Sequence, residues 1–184
     1  MSLKSNFELM AAYNHGMNQS MYGAASQLSV LGLNEDRGAF FGSILATLNH
    51  ILVGDVIWLK RFANHPSQFS SLDYVRGLEW PKALDSILCM KLEDLLAARE
   101  KMDNLILDFS RELTDDVLAS SLSYQNMKGK PLTQNLGYLI QHFFNHQTHH
   151  RGQVSVLLNQ AGVNVDMTDL LLNIPSEQKS DNSL

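Results

Sequence analysis

The sequence predicts an all-α protein built as a four-helix bundle. Three observations carry that reading. Four segments, each longer than twenty residues, repeat their apolar side chains every three or four positions. Strand-like alternation is almost absent. The 184 residues, 45% hydrophobic and 18% charged, suffice for one domain with a sizeable core.

The first helix is expected from about Phe7 to Leu31, with Met10, Tyr13, Met17, Met21, Ala24, Leu28 and Leu31 along its stripe. The turn-forming run "LGLNEDRG" then ends it. The second is expected from about Ala39 to Phe62, with Phe41, Ile44, Leu48, Ile51, Trp58 and Phe62 facing inward. It closes at "ANHPSQ", because proline disfavours helix at the residue before it. Residues 64–83 read as a long connection rich in aromatics. The third helix is expected from about Leu84 to Leu113. Within residues 114–131, "SLSYQNMKGK" has the makings of a small hairpin. The fourth starts near Leu132 or Thr133 and ends around "NQAG", with Gly162 just past its last residue. A short apolar piece, "MTDLLLNI", packs afterwards, and the polar tail "IPSEQKSDNSL" frays. The single domain thus spans residues 1–165, and residues 166–184 form a partly disordered C-terminal extension.

The formal net charge of -5, with no basic stripe, argues against nucleic acid as a partner. The lone Cys89 excludes an internal disulfide and points to the reducing cytoplasm. The N-terminal segment lacks a signal-peptide core, and no window approaches the ~18 apolar residues of a membrane span, so no membrane partner is expected.

Chemistry concentrates in the fourth helix, where His142, His146, His149 and His150 fall within nine positions. Leu136, Leu139, Phe143, His146, His150, Val154 and Leu157 make one seam, placing His146 and His150 inside the bundle. Asn135, Tyr138, His142, Asn145, His149 and Gly152 make a polar row beside it. Side chains four apart stack on one helix face, so an inward HxxxH pair can grip one divalent metal, and imidazole suits zinc, nickel or iron. A third ligand must then come from another helix. His15 looks exposed and His65 lies in a polar loop before Pro66. His50 sits mid-helix in the row Ser43, Thr47, His50, Gly54 and Ile57, whose small members leave room for a cavity. Asp55 reads as a helix-surface carboxylate, with a role in orienting a ligand or substrate as the alternative. Cys89 reads as a small buried residue without a nearby base.

"NHQTHHRGQV" on the fourth helix, "SILATLNHILVGDVIWL" on the second, "AAYNHGMNQSMY" on the first and "YQNMKGKP" before the fourth together resemble the DinB (damage-inducible) family over about residues 5–165. The resemblance implies an up-down-down-up bundle, often a homodimer. It implies a metal held by one histidine of the second helix and two of the fourth, matching His50, His146 and His150 here. Gly16 departs from the family, whose members tend to carry tryptophan there. Arg151 reads as a helix-packing or dimer contact, with an anionic substrate as the alternative. By the same resemblance the protein is expected to be a metal-dependent enzyme acting on a small molecule, a thiol-dependent S-transferase using a low-molecular-weight thiol. Metal-dependent hydrolysis, and non-catalytic metal binding in a stress response, stay open as alternatives.

Overall fold

Ser2 opens the chain's first helix, its hydroxyl accepting the Ser5 amide while the Ser5 hydroxyl accepts the Ser2 amide. The computed structural model describes residues 2–176. It is mostly α-helical with one small two-stranded sheet. Among the described residues the helices are α1 (Leu3–Ala25), α2 (Val30–Asn34), α3 (Ile44–Phe62), α4 (Asp73–Arg76), α5 (Leu92–Glu112), α6 (Asp115–Ala119) and α7 (Leu136–Gln160). No helix among these residues is long and apolar enough to cross a membrane.

The four long helices are those the periodicity marks, but all four starts and one end move, the first start to Leu3 behind its Ser2 cap. The first stripe is two helices, because Ser29 adopts an extended conformation and caps α2 by accepting the Gly32 amide. The second helix begins at Ile44, five residues later than expected. Gly38 and Gly42 take left-handed backbone angles, and Arg37 and Gly42 close a tight turn through the segment instead. The third begins at Leu92. Asn49 of α3 takes the Leu88 and Cys89 amides on its Oδ1 and donates to the Cys89 carbonyl, which ties that stretch down as a non-helical connection. The expected hairpin forms from β1 (Ser121–Gln125) and β2 (Pro131–Asn135), with Gly129 left-handed in its turn. It takes residues 132–135 from the fourth helix, which Asn135 caps by accepting the Tyr138 amide. Gly162 is left-handed just past α7, as a C-terminal cap requires.

Helix α1 packs on α5 and α7, and α3 packs on the same two. The apolar core between them includes Phe7, Leu48, Leu59, Phe62, Leu95, Ile106, Phe109, Ile140, Phe143 and Leu158, all essentially buried. Past α7, the Thr168 carbonyl accepts the Tyr13 hydroxyl at 2.6 Å, and a 3₁₀ turn at Leu170–Asn173 packs on α1. The apolar piece after the fourth helix thus touches α1, but Met167, Leu171, Leu172 and Ile174 stay exposed, so it lies on the surface rather than packing into the core as expected. The expected fraying falls partly on residues 177–184, outside the described residues.

A charged network crosses the middle of this core. Arg99 of α5 is 1% exposed and pairs with Asp55 of α3 and, at 2.8 Å, with Asp103 one turn along α5. Gln147 of α7 donates to Asp55 at 2.7 Å, and Asn14 and Asn18 of α1 donate to Asp103 at 3.2 and 2.9 Å. Asp55 is fully buried, so the surface-carboxylate expectation is overturned: its partner stands 44 residues away on α5. Arg151 is buried too, donating to Asn14 and to Thr148. It packs helices together, the first of its two expected roles. Burial works against the charge on Arg99, but Asp103 and Asp55 outweigh it and hold the guanidinium above its ordinary range. Arg99→Met would leave two buried carboxyls without a counter-charge, and is expected to cost about 3–5 kcal/mol in urea unfolding. A loss below about 1 kcal/mol would mean that the carboxyls neutralise at little cost.

Candidate metal centre

His50 lies mid-way along α3, and His146 and His150 lie one turn apart on α7, which packs against it. Their Nε2 atoms converge: His50 to His146 is 3.1 Å and His50 to His150 is 3.2 Å. The three expected ligands are therefore brought together in one group that could hold a metal ion. His50 is 4% exposed, whereas His146 and His150 are only partly buried. The seam expected those two inside the bundle. The innermost side chains of α7 at that level are instead Gln147 and Arg151, drawn in by Asp55 and Asn14, so the pair lies at the rim of the α3–α7 contact.

Two features make room for the imidazoles. A Cβ on Gly54, one turn past His50, would stand 2.6 Å from His146 Cε1, so only glycine lets α3 and the His146 ring approach this closely. The Phe41 ring lies flat over His50 at 3.8 Å and edge-on to His150 at 5.7 Å. Phe41 belongs to the turn before α3, not to the helical stripe it was expected in.

The remaining ring nitrogens settle the tautomers. His50 Nδ1 is 2.7 Å from the Leu84 carbonyl, which can only accept, so that nitrogen carries the proton. His150 Nδ1 donates to Gln153 Oε1 at 2.7 Å, and Gln153 Nε2 in turn donates to His149 Nε2 at 3.2 Å. In the neutral rings this leaves the Nε2 atoms of His50 and His150 as bare lone pairs facing each other. His146 can offer a proton to only one of them, so the group is short of positive charge. A divalent cation fits that need. The observed separations also approach the ~3.3 Å edge of a tetrahedron with ~2.05 Å metal–nitrogen bonds.

Burial pushes His146 down to about 3, helped by His150 and His50, and burial likewise lowers His50 and His150. All three are therefore neutral near pH 7, the form that ligates. The other histidines stay out of the group. His142 is exposed, edge-on to Trp58, with its ring 6.2 Å from that of His146. His149 is exposed, its ring edge-on to that of His150 at 4.9 Å and its Nε2 bonded to Gln153 rather than turned into the group. His15 is half-buried rather than exposed, with Nδ1 3.9 Å from Asp103. His65 is buried and holds its loop, bonding Ser120 Oγ at 2.9 Å and accepting the Ser67 amide. Cys89 is partly buried, and burial raises its thiol, in line with an unreactive residue.

Gly54 was legible as a small member of the His50 row, and it is where the helices approach; sequence reasoning missed three contributors, Phe41 as the cover and the Leu84 carbonyl and Gln153 as acceptors. Gln153 carried a usable signal, since it stands three after His150 on the same helix face. The Leu84 carbonyl carried none, because any residue would supply it. Gly16, where the family tends to carry tryptophan, has open space at its Cβ.

The DinB family model matches residues 1–181. A DinB protein of Bacillus subtilis strain 168 is 25% identical over 166 residues, spanning 85% of this chain and 87% of the relative. No solved structure gives a significant match. A match over nearly the whole chain, on top of the three converging histidines, is decisive for kinship: the chain belongs to the DinB family.

Proposed function

We propose that His50, His146 and His150 hold one divalent metal through Nε2, and that the protein is a metal-dependent enzyme transferring a thiol's sulfur to an electrophile. The observation that carries the metal is the pair of bare Nε2 lone pairs, each backed by an acceptor on its other nitrogen. Three protein ligands leave a coordination position open, the pattern of a catalytic site rather than a structural one. Zinc, nickel or iron bound there would supply Lewis acidity toward a low-molecular-weight thiol or a small-molecule electrophile. The chain's own part is to present three neutral imidazoles and to fix their direction through Leu84 and Gln153. Phe41 covers one side against water. Asp55, the carboxylate nearest these helix turns in sequence, is tied to Arg99 and Gln147 and is not free to act as a base on water. Attack by water would therefore have no help from Asp55.

The wider organisation belongs to the same proposal. Residues 1–165 form one domain, an up-down-down-up four-helix bundle, in the cytoplasm. The direction of the helices is supported by which residues meet: Asn14 with Asp103, His50 with His150, Phe7 with Phe144, and Asp55 with Arg99. Two copies pair through α1 and α7 as a homodimer, with no nucleic acid or membrane partner.

Elemental analysis of purified protein tests the ligand set. His50→Ala, His146→Ala and His150→Ala are each expected to lose the metal, and Gly54→Ala to weaken it by displacing His146. His15→Ala, His142→Gln and His149→Gln should keep it. Protons should compete with the metal only below the ordinary histidine value of ~6.5, because burial lowers all three folded imidazoles. Without metal the same lowered values make stability depend on pH. The unfolded chain binds the extra protons, so stability falls as pH drops below ~6.5. Full metal in His50→Ala would end the three-histidine reading.

Turnover with a panel of thiols and alkylating electrophiles tests the reaction. Loss of free thiol that depends on the metal and vanishes in His150→Ala is expected, while ester or amide cleavage without thiol consumption would favour hydrolysis. Sedimentation should show a species of about 41 kDa, twice the 20.6 kDa chain, and a monomer at all concentrations would refute pairing.

A further inference from the structure

Arg61, in the last turn of α3, is 7% exposed, yet among the described residues its guanidinium pairs with no carboxylate, and its Nε is shielded without a partner. Its neighbours are aromatic faces. The guanidinium carbon lies 4.6 Å from the Trp58 ring centre and 4.9 Å from that of Tyr124. The adjacent Lys60 solves the same burial differently, donating to the Val75 and Arg76 carbonyls at 2.9 and 3.2 Å. Stacking holds the Arg61 plane but uses none of its five N–H donors. The C-terminal end of α3 favours a cation there, and this too leaves the N–H edge unused.

That residue lines an open cleft of about 560 Å³ between the end of α3, the hairpin and the Trp80 loop. Asn64, Ser123, Tyr124 and Thr133 give the cleft polar groups, Trp80 gives it an aromatic wall, and no carboxylate among the described residues lines it. Trp80 is half exposed, with Lys60 Nζ 5.3 Å from its ring centre. A buried cation without a counter-charge is costly to fold unless something supplies the charge. Burial duly pulls Arg61 below the ordinary arginine range.

We propose that this cleft is a second ligand site, in which Arg61 receives the oxygens of a small organic anion, a carboxylate or phosphate monoester, whose apolar body rests on Trp80. A planar guanidinium pre-oriented by two rings suits the two-oxygen face of either group. The site stands apart from the histidines. Arg61 is eleven residues past His50 on α3, ~16 Å at 1.5 Å per residue. Trp58 and His142, 5.1 Å apart, lie between the two sites. The inference therefore does not rest on the metal.

Titration of the full chain with phenyl phosphate, phenylacetate, inorganic phosphate and uncharged benzyl alcohol, followed by heat and tryptophan fluorescence, tests it. At least one aromatic anion should bind saturably, and which of the two binds tighter separates phosphate from carboxylate recognition. Benzyl alcohol should not bind. Arg61→Met should weaken the anion by at least about tenfold, and Trp80→Ala should weaken phenyl phosphate more than inorganic phosphate. Should Arg61→Met fail to fold, Arg61→Lys keeps the charge and stem but loses the planar fork, and about a tenfold loss is expected there as well. No saturable binding of either aromatic anion, or equal binding by the folded Arg61 variant, overturns the proposal. Binding of inorganic phosphate that ignores Arg61 overturns it too.

Discussion

The Arg99 ion pairs are the constraint on which the rest of this fold depends. A guanidinium in the centre of a helical core must be met by carboxylates or it destabilises the core. Asp55 and Asp103 meet it from α3 and from one turn along α5. The amides then extend the link, Gln147 from α7 to Asp55 and Asn14 and Asn18 from α1 to Asp103. All four long helices are thereby joined at one level. Apolar packing alone tolerates a slip of one helical turn far better than such a network does, because a slip would orphan a buried charge.

That level lies beside the histidines. Asp55 follows Gly54, which makes space for His146, and Gln147 follows His146 itself. The Gln147–Asp55 bond at 2.7 Å thus sets α3 and α7 in the register that brings Nε2 atoms from both within 3.2 Å. The same inward pull on Gln147 and Arg151 rotates α7 so that His146 and His150 sit at the rim, open enough for a ligand to reach and buried enough to stay neutral. Charge in the core and neutrality at the site are consequences of one helix orientation.

Three buried arginines show three answers to one problem. Arg99 is neutralised by carboxylates, and Arg151 is solvated by the neutral oxygens of Asn14 and Thr148. Arg61 lies against the Trp58 and Tyr124 rings and lines an open cleft. The first two hold helices together, and the third has capacity left for a ligand.

The sequence by itself determined the helical class, the four long segments, the hairpin after the third, and the HxxxH pair, because each is a local pattern of period, turn chemistry or spacing. His50 was legible as the third member through its small-residue row and the family resemblance. Helix starts were less legible. A periodic stripe does not register that Gly38 and Gly42 turn the chain before α3, or that Asn49 captures the Leu88 and Cys89 amides before α5. Only tertiary structure decided which face of α7 is innermost, that Asp55 is buried and that Arg61 has no acid beside it among the described residues. Each depends on partners from separate helices or the hairpin, such as Arg99, 44 residues from Asp55. The free energy of a buried charge is set by what the fold places next to it, and no local pattern around the charge records that.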